Sequence, residues 1–468
     1  MDAQSVVERV ATVWDGEALP VLSDYLRIPN RSPAFDPDWA AHGHMARATE
    51  LISTWMRSRP ITGLDVAVEQ LEGRTPVIIA EVAGTAPGTV VLYGHLDKQP
   101  EMTGWRDGLS PWEPVIEGDR LYGRGAGDDG YAAFAAMTAI EAVQASGGTH
   151  ARLVVIIEAS EESGSPDLPA YIEAFADRIG TPDLVVCLDS GCATWDRLWL
   201  TTSLRGLVSF TLTVRMLTEG VHSGAAGGVV PSTFRILRSL LARIEDSSTG
   251  ELLVPELHVT IPPERVHEMA STGAALGEEI GERFPFVDGA VAVIGDPVAQ
   301  LVAKTWEPAM EVIGLDGVPS VADGGNVQRP FTTVRLSFRL PPTCDAFAAR
   351  EALIRVLQAD PPYGAAIEIH AKEVGYGWNA PPTAPWLATA VDQASLTAFG
   401  NAAQTIGEGG SIPFMAMLGK QFPEAQFVIT GVLGPGTNAH GPNEFLHLPT
   451  AQRVTVAVAL LLDAHATR

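Results

Sequence analysis

The chain has 468 residues, 46% hydrophobic and 19% charged, with a formal charge of −25. That length exceeds one compact core and implies two domains, one of them inserted in the other, while the apolar fraction excludes a disordered chain. The negative charge argues against nucleic-acid and anionic-membrane partners, which need a basic face. It says little about the substrate, because the local field of a cleft can oppose the net charge.

The opening stretch "MDAQSVVERVATVWDG" is acidic and amphipathic and lacks the basic start and apolar core of a signal peptide. No run of about 18 apolar residues occurs, so no membrane span is expected, and a cytoplasmic protein is the default. Cys187, Cys192 and Cys344 follow neither a disulfide framework nor a zinc-ribbon spacing and read as reduced, buried thiols. The pattern then predicts a helix over 39–57 and short strands over 65–71, 77–82 and 90–93. "DDGYAAFAAMTAIEAVQASGG" is Ala-rich, lacks Pro and ends in Gly147-Gly148, which reads as a helix with its stop. "ARLVVIIEA" is a β-branched run suited to a strand buried on both faces. A helix near 168–177 and the strand "DLVVCLD" follow. This alternation predicts an α/β sheet with helices on its faces.

After Trp199 the texture changes. "GLVSFTLTVRML" alternates as a half-buried strand does, and a helix is expected from Pro231. A long irregular region containing Pro255, Pro262, Pro263 and Pro285 is expected before the strand "TTVRLSFRL", a helix and the strand "AAIEIHAKEV". These read as an α+β unit with one solvated sheet face. From about Pro382 the buried texture returns, with "EAQFVITGVLG" as a strand and "TAQRVTVAVALLLDAHA" as the closing helix. The expected organisation is a discontinuous α/β domain, 1–203 and 380–468, carrying an inserted α+β domain, 204–379.

Ligands of open α/β sheets gather at the carboxyl ends of strands, and the polar residues recur there. His95 and Asp97 follow one strand; Asp128 and Asp129 lie in "GRGAGDD"; Glu161 and Glu162 follow "ARLVVIIEAS"; Asp189 follows "DLVVCL"; His440 follows "EAQFVITGVLG". Each alone has an ordinary explanation: a structural histidine, an N-cap with its helix dipole, a solvated loop. Together they change the balance, because carboxylates crowded at one edge need a cation. Imidazole and carboxylate without thiolate suit zinc, manganese or cobalt rather than calcium. Two histidines and four or more carboxylates exceed one tetrahedral shell and suffice for two ions about 3.5–4 Å apart sharing a carboxylate, which bind a hydroxide and polarise a carbonyl.

The motifs "GHLDKQP", "YGRGAGDD", "EASEESGS", "GVHSGAAGG", "SFRLPP", "GEGGSIPF" and "AHGPNE" resemble, in order and across residues 90 to 445, those of the carnosinase-type dinuclear metallopeptidases. That clan also holds aminoacylases, glutamate carboxypeptidases and succinyl-diaminopimelate desuccinylase. The resemblance implies a zinc-peptidase α/β catalytic domain with an inserted dimerisation lid, and a homodimer. It implies one ion held by His95 and Asp189, another by Glu162 and His440, and Asp128 bridging them. Glu161 would be the general base, passing a proton from the bridging hydroxide's parent water to the leaving amine. Asp97 would hydrogen-bond His95 and set its tautomer. His222 would polarise the scissile carbonyl across the dimer. Arg339 would clamp a substrate carboxylate bidentately, with Arg335 as its competitor on the same strand face. Gly410 and Ser411 would hold that carboxylate through the loop, helped by a helix starting after Ser411.

Two departures stand out. The family commonly has Lys after the paired Asp, where this chain has Gly130 and then Tyr131; Lys98 follows Asp97 where many relatives are apolar, and partial compensation by Lys98 is the expectation. The activity implied is metal-dependent cleavage of dipeptides, or of similar N-acyl amino acids, bearing a free carboxylate. The alternatives are a deacylase or desuccinylase of the same clan, a non-catalytic binder on this fold, and a Rossmann-type nucleotide enzyme. The last lacks the G-x-G-x-x-G pattern at "GRGAG", and the binder would have no use for Glu161.

Overall fold

The apolar runs assemble into a six-stranded sheet of β1 (Leu64–Glu69), β2 (Val77–Val82), β3 (Ala86–His95), β4 (Ala151–Glu158), β5 (Leu184–Cys187) and β6 (Gln426–Ile429), in the spatial order β1-β2-β4-β3-β5-β6. The computed structural model describes residues 1–410 and 412–468. Strand β3 runs parallel to β4 and β5, and β6 runs parallel to β5, so these four adjacent strands finish at the same edge. Register sets His95 opposite Glu158 and Tyr93 opposite both Ile156 and Cys187. Strand β2 is antiparallel to both β1 and β4.

The Ala-rich helix Tyr131–Ala145 is buried at every position from Tyr131 to Val143. Its small side chains let the helices Ala3–Val13 and Leu448–Thr467 approach closely, and a helix apolar all round belongs in such a layer. Each fully buried Val, Ile or Leu here contributes about 1.5–3 kcal/mol. Gly94 permits the contact between helix and sheet: a Cβ there would lie 2.5 Å from Ala132 Cβ and 2.8 Å from Asp129 Oδ2.

This sheet belongs to a compact unit of Met1–Thr202, Ala380–Ile406 and Met417–Arg468. A second unit comprises Ser203–Asn379 and Gly407–Ala416. Residues 407–416 thus group with the second unit, where the sequence reading had put all of 380–468 in the first. The second unit holds an antiparallel sheet in the order Ala309–Asp316, Phe331–Leu340, Gly206–Arg215, Ala366–Gly375. Phe331–Leu340 alternates strictly between buried and half-buried residues, so one face makes the core with Phe210, Leu212, Leu353 and Phe338.

The region before Phe331 is more ordered than its prolines implied. It contains helices Pro263–Leu276 and Pro297–Thr305 and the strand Ala309–Asp316. Pro263 and Pro297 sit in the first turn, where a missing N–H costs nothing, and Asp296 caps the second helix by accepting from the Ala299 amide at 2.8 Å. The helix expected over 39–57 is divided into Trp39–His42 and His44–Arg57 by Gly43 at φ 71°. The one expected near 168–177 breaks into Leu168–Ala174 and Ala176–Ile179. No helix among the described residues is long and apolar enough to cross a membrane.

Candidate metal centre

Strand β3 delivers His95 to the sheet edge, where its main-chain N–H donates to Asp129 Oδ2 at 3.2 Å. His95 Nδ1 lies 3.1 Å from the Asp97 carbonyl and 3.4 Å from Asp97 Oδ1. A carbonyl only accepts, so Nδ1 carries a hydrogen, which in the neutral imidazole leaves Nε2 with its lone pair. Nε2 is 3.2 Å from Asp128 Oδ1 and 3.8 Å from Asp189 Oδ2, two residues beyond β5. Glu161 and Glu162 open a short 3-10 turn after β4, and their amides donate to the two Asp97 carboxylate oxygens at 3.1 and 3.0 Å. The Asp97 carboxylate therefore anchors the paired acids, while its carbonyl makes the shorter approach to His95. His440 arrives from a loop after β6, with Nε2 2.9 Å from Asp128 Oδ2 and 3.2 Å from Glu162 Oε2.

The result is two groups able to hold an ion, His95–Asp128–Asp189 and Asp128–Glu162–His440, with Asp128 in both. The Glu162 and Asp128 side chains are 3% and 7% exposed, whereas the His440 ring is 57% exposed. Burial above all, with Asp128 adding, pushes Glu162 up to about 7. Burial likewise pushes Asp189 up to about 6, and raises Glu161 well above the usual carboxylate range with Asp189 adding to the effect. Asp128 is opposed by burial, yet the two imidazoles hold it below its ordinary value. Burial would lower both imidazoles, and the carboxylates facing them overcome it and raise them. The donor set is two imidazoles and three carboxylates without thiolate, which fits borderline divalent cations such as zinc, manganese or cobalt.

Several supporting residues lie inside the quoted motifs but carried no assignment. Gln99 Nε2 donates to Glu162 Oε2 at 2.6 Å. Glu158 accepts from the hydroxyls of Tyr93 at 2.7 Å, Ser165 at 2.8 Å and Ser160 at 3.1 Å, which fixes the turn carrying Glu161 and Glu162. A polar residue at a strand end is the signal that would have found Glu158; Gln99, four residues past β3, offered no signal beyond its place in the motif.

The two departures resolve differently from expectation. A Cβ on Gly130 would stand 2.4 Å from the Gly125 carbonyl oxygen and 2.4 Å from Tyr25 Cε1, so Tyr25 fills the space a side chain would need. Lys98 does not replace a missing charge. It is fully buried, donates to the carbonyls of Tyr25 at 3.0 Å and Ile28 at 2.8 Å, and lies 4.0 Å from the Tyr25 ring centroid. It thus caps the C-terminal end of the helix Leu19–Leu26. Tyr131 is buried as well, and its hydroxyl donates to the Leu188 carbonyl at 2.5 Å, bracing the segment before Asp189.

The remaining candidates lie in the second unit. His222 is exposed and ends the two-residue strand Val221–His222, opposite Val327. Arg339 is half-buried near the end of Phe331–Leu340, facing Ala309 on one neighbour and Leu207 on the other. Arg335 pairs with Glu373 at 3.2 Å. The Gly410 carbonyl accepts from the Arg205 amide at 3.1 Å, and the Gly409 carbonyl from Arg205 Nε at 3.2 Å, a guanidinium role absent from the sequence reading. Ser411 lies outside the described residues; the helix expected after it runs from Pro413 to Gln421.

The sequence model of Peptidase family M20/M25/M40 matches residues 91–464. The chain is 31% identical over 416 residues to a cysteinylglycine-S-conjugate dipeptidase of Corynebacterium striatum, covering 86% of each sequence. It is 27% identical to the human beta-Ala-His dipeptidase, over 76% of this chain and 72% of that one. The crystal structure of human carnosine dipeptidase 1 shares the fold, with a TM-score of 0.79, 23% identity, and coverage of 100% of this chain and 99% of the other.

Proposed function

The chain belongs to peptidase family M20/M25/M40 and is an enzyme of that hydrolase family, and from this we propose that it is a dipeptidase cleaving the amide bond of dipeptides with a free carboxylate. The observation that carries the reading is the sharing of Asp128 between two acid–imidazole groups with Glu161 alongside. Two relatives with substantial coverage are named dipeptidases, which favours dipeptides over N-acyl amino acids.

His95 and Asp189 would hold one divalent cation, Glu162 and His440 a second, and Asp128 both; zinc is the first choice, with manganese and cobalt as alternatives. When bound, the cations supply Lewis-acid polarisation of the scissile carbonyl and acidify the attacking water. Glu161 accepts the proton of that water and delivers it to the amine as the C–N bond breaks, giving a carboxylate and a free amino group. Asp97 holds the amides of Glu161 and Glu162 and sets the His95 tautomer. On the strength of their motifs, Arg339, Gly410 and Ser411 bind the substrate carboxylate, and His222 donates a hydrogen bond to the carbonyl oxygen from the neighbouring subunit of a homodimer. The unit Ser203–Asn379 would supply the dimer contact.

The test is to strip the protein with a chelator, add back zinc, manganese or cobalt, and assay dipeptides beside N-acyl amino acids. Activity should vanish on stripping, return with metal, and be highest on dipeptides. Faster turnover of acyl substrates would move the assignment to the deacylases, and no turnover with any metal would defeat it.

A further inference from the structure

Arg124 and Glu444 have side chains 1% and 0% exposed, and neither is a candidate ligand or proton carrier. Burying two charges is costly unless hydrogen bonds satisfy them, so their partners are informative. Arg124 Nη1 pairs with Glu444 Oε2. Arg124 Nη2 donates to the Gly441 carbonyl at 2.7 Å and Nε to the Pro100 carbonyl at 3.1 Å. Glu444 Oε1 accepts from the amides of Gly125 at 3.0 Å and Asp128 at 3.4 Å. The pair thus fastens together the segment after β3, the loop bearing Asp128 and the loop bearing His440, although Arg124 and Glu444 are 320 positions apart.

The His440 loop needs such a fastening. His440 has φ 64°, and Asn438 and Asn443 in the same loop have φ 53° and 61°. Three non-glycine residues in the left-handed region are unfavourable in isolation, so external contacts must hold the loop. The His440 ring, 57% exposed, gets little of this from packing. The bond to the Gly441 carbonyl is adjacent to His440, and the bond from the Asp128 amide lies on its partner carboxylate's own residue.

We propose that Arg124 and Glu444 are positioning residues that hold His440 against Asp128 and preform the Asp128–Glu162–His440 group for its cation. The other group, His95–Asp128–Asp189, draws His95 and Asp189 directly from strand ends and depends on the clamp only through Asp128. The inference rests on the two-cation reading above, and the experiment separates the two.

Zinc is titrated by calorimetry into the chelator-stripped full chain, for the wild type, Glu444→Gln, and the double variant Arg124→Met with Glu444→Leu, and each metal-free protein is melted. The double variant removes both charges together, so no lone buried charge remains; the amides of Gly125 and Asp128 lose their acceptor, so melting should fall, but by less than when one charge is left unpaired. The wild type should bind two zinc ions. In both variants one ion should bind within about threefold of wild type and the other about 10- to 100-fold more weakly, the usual consequence of losing a group that orients a ligand. Two unperturbed zinc ions in the variants would overturn the clamp alone. So would equal weakening of both in step with a lowered melting temperature, or failure of both variants to fold, because the pair would then serve the fold. Fewer than two zinc ions in the wild type would overturn the two-cation reading and the clamp with it.

Discussion

In the unit built on the mostly parallel sheet, the parallel strands β3, β4 and β5 finish side by side, and His95, Asp189 and the turn bearing Glu161 and Glu162 converge at one edge. In the unit of Ser203–Asn379 and Gly407–Ala416 the sheet is antiparallel and successive strands end at opposite edges, so Arg339 gathers with Arg205 and the Gly409 and Gly410 carbonyls at one place, and His222 lies on another sheet. His222 stands exposed on a two-residue strand of a separate two-stranded sheet, while Arg205 and Arg339 come from neighbouring strand ends and act on each other's charge. A parallel sheet concentrates whatever follows its strands, so its site can be recognised from mutual geometry. An antiparallel one sends such residues to opposite edges, so roles there are read from motif, and experiment must supply the rest.

Substitutions can break this contrast at either end. Glu161→Gln should leave metal content unchanged and lower kcat about 10²–10⁴-fold, the share of a general acid–base group; unchanged turnover in a steady-state assay would remove Glu161 from the chemistry. His222→Ala should lower kcat about 10²–10³-fold with metal content intact, as for a lost oxyanion donor. Metal loss measured by elemental analysis would instead make His222 a ligand. Arg339→Ala should raise KM for carboxylate-bearing substrates about 10- to 100-fold, in keeping with loss of charged hydrogen bonds, and an unaltered KM would pass that role to Arg205 or another group. Lys98→Met should leave metal content and kcat near wild type while lowering stability by about 1–3 kcal/mol in denaturant unfolding, because buried carbonyls at the end of Leu19–Leu26 lose their donor. A large fall in kcat would return Lys98 to the site.

Much of the first unit was legible because burial on both faces leaves a continuous apolar run, as in "ARLVVIIEA", and the polar residue after such a run must lie at a sheet end. The second unit was less so. Pro263 resembles a breaker in a linear reading, yet it starts a helix, since the penalty of proline depends on where in the turn it falls. Lys98 was misread for a related reason. Its charge was visible and its direction was not: side chains alternate along extended backbone, and Lys98 turns away from the edge toward the end of a helix formed over seventy residues earlier.

By itself the sequence determined the α/β class, the order of the motifs and the residue types of the candidate centre, because strand burial and ligand chemistry are properties of short stretches. Tertiary structure alone decided which oxygens face which nitrogens, that Asp128 lies in both groups, that Asp97 binds the amides of Glu161 and Glu162, and that Tyr25 fills the space beside Gly130. Those facts depend on contacts between segments far apart in the chain, whose partners and directions are set only when the strands pack at a common edge.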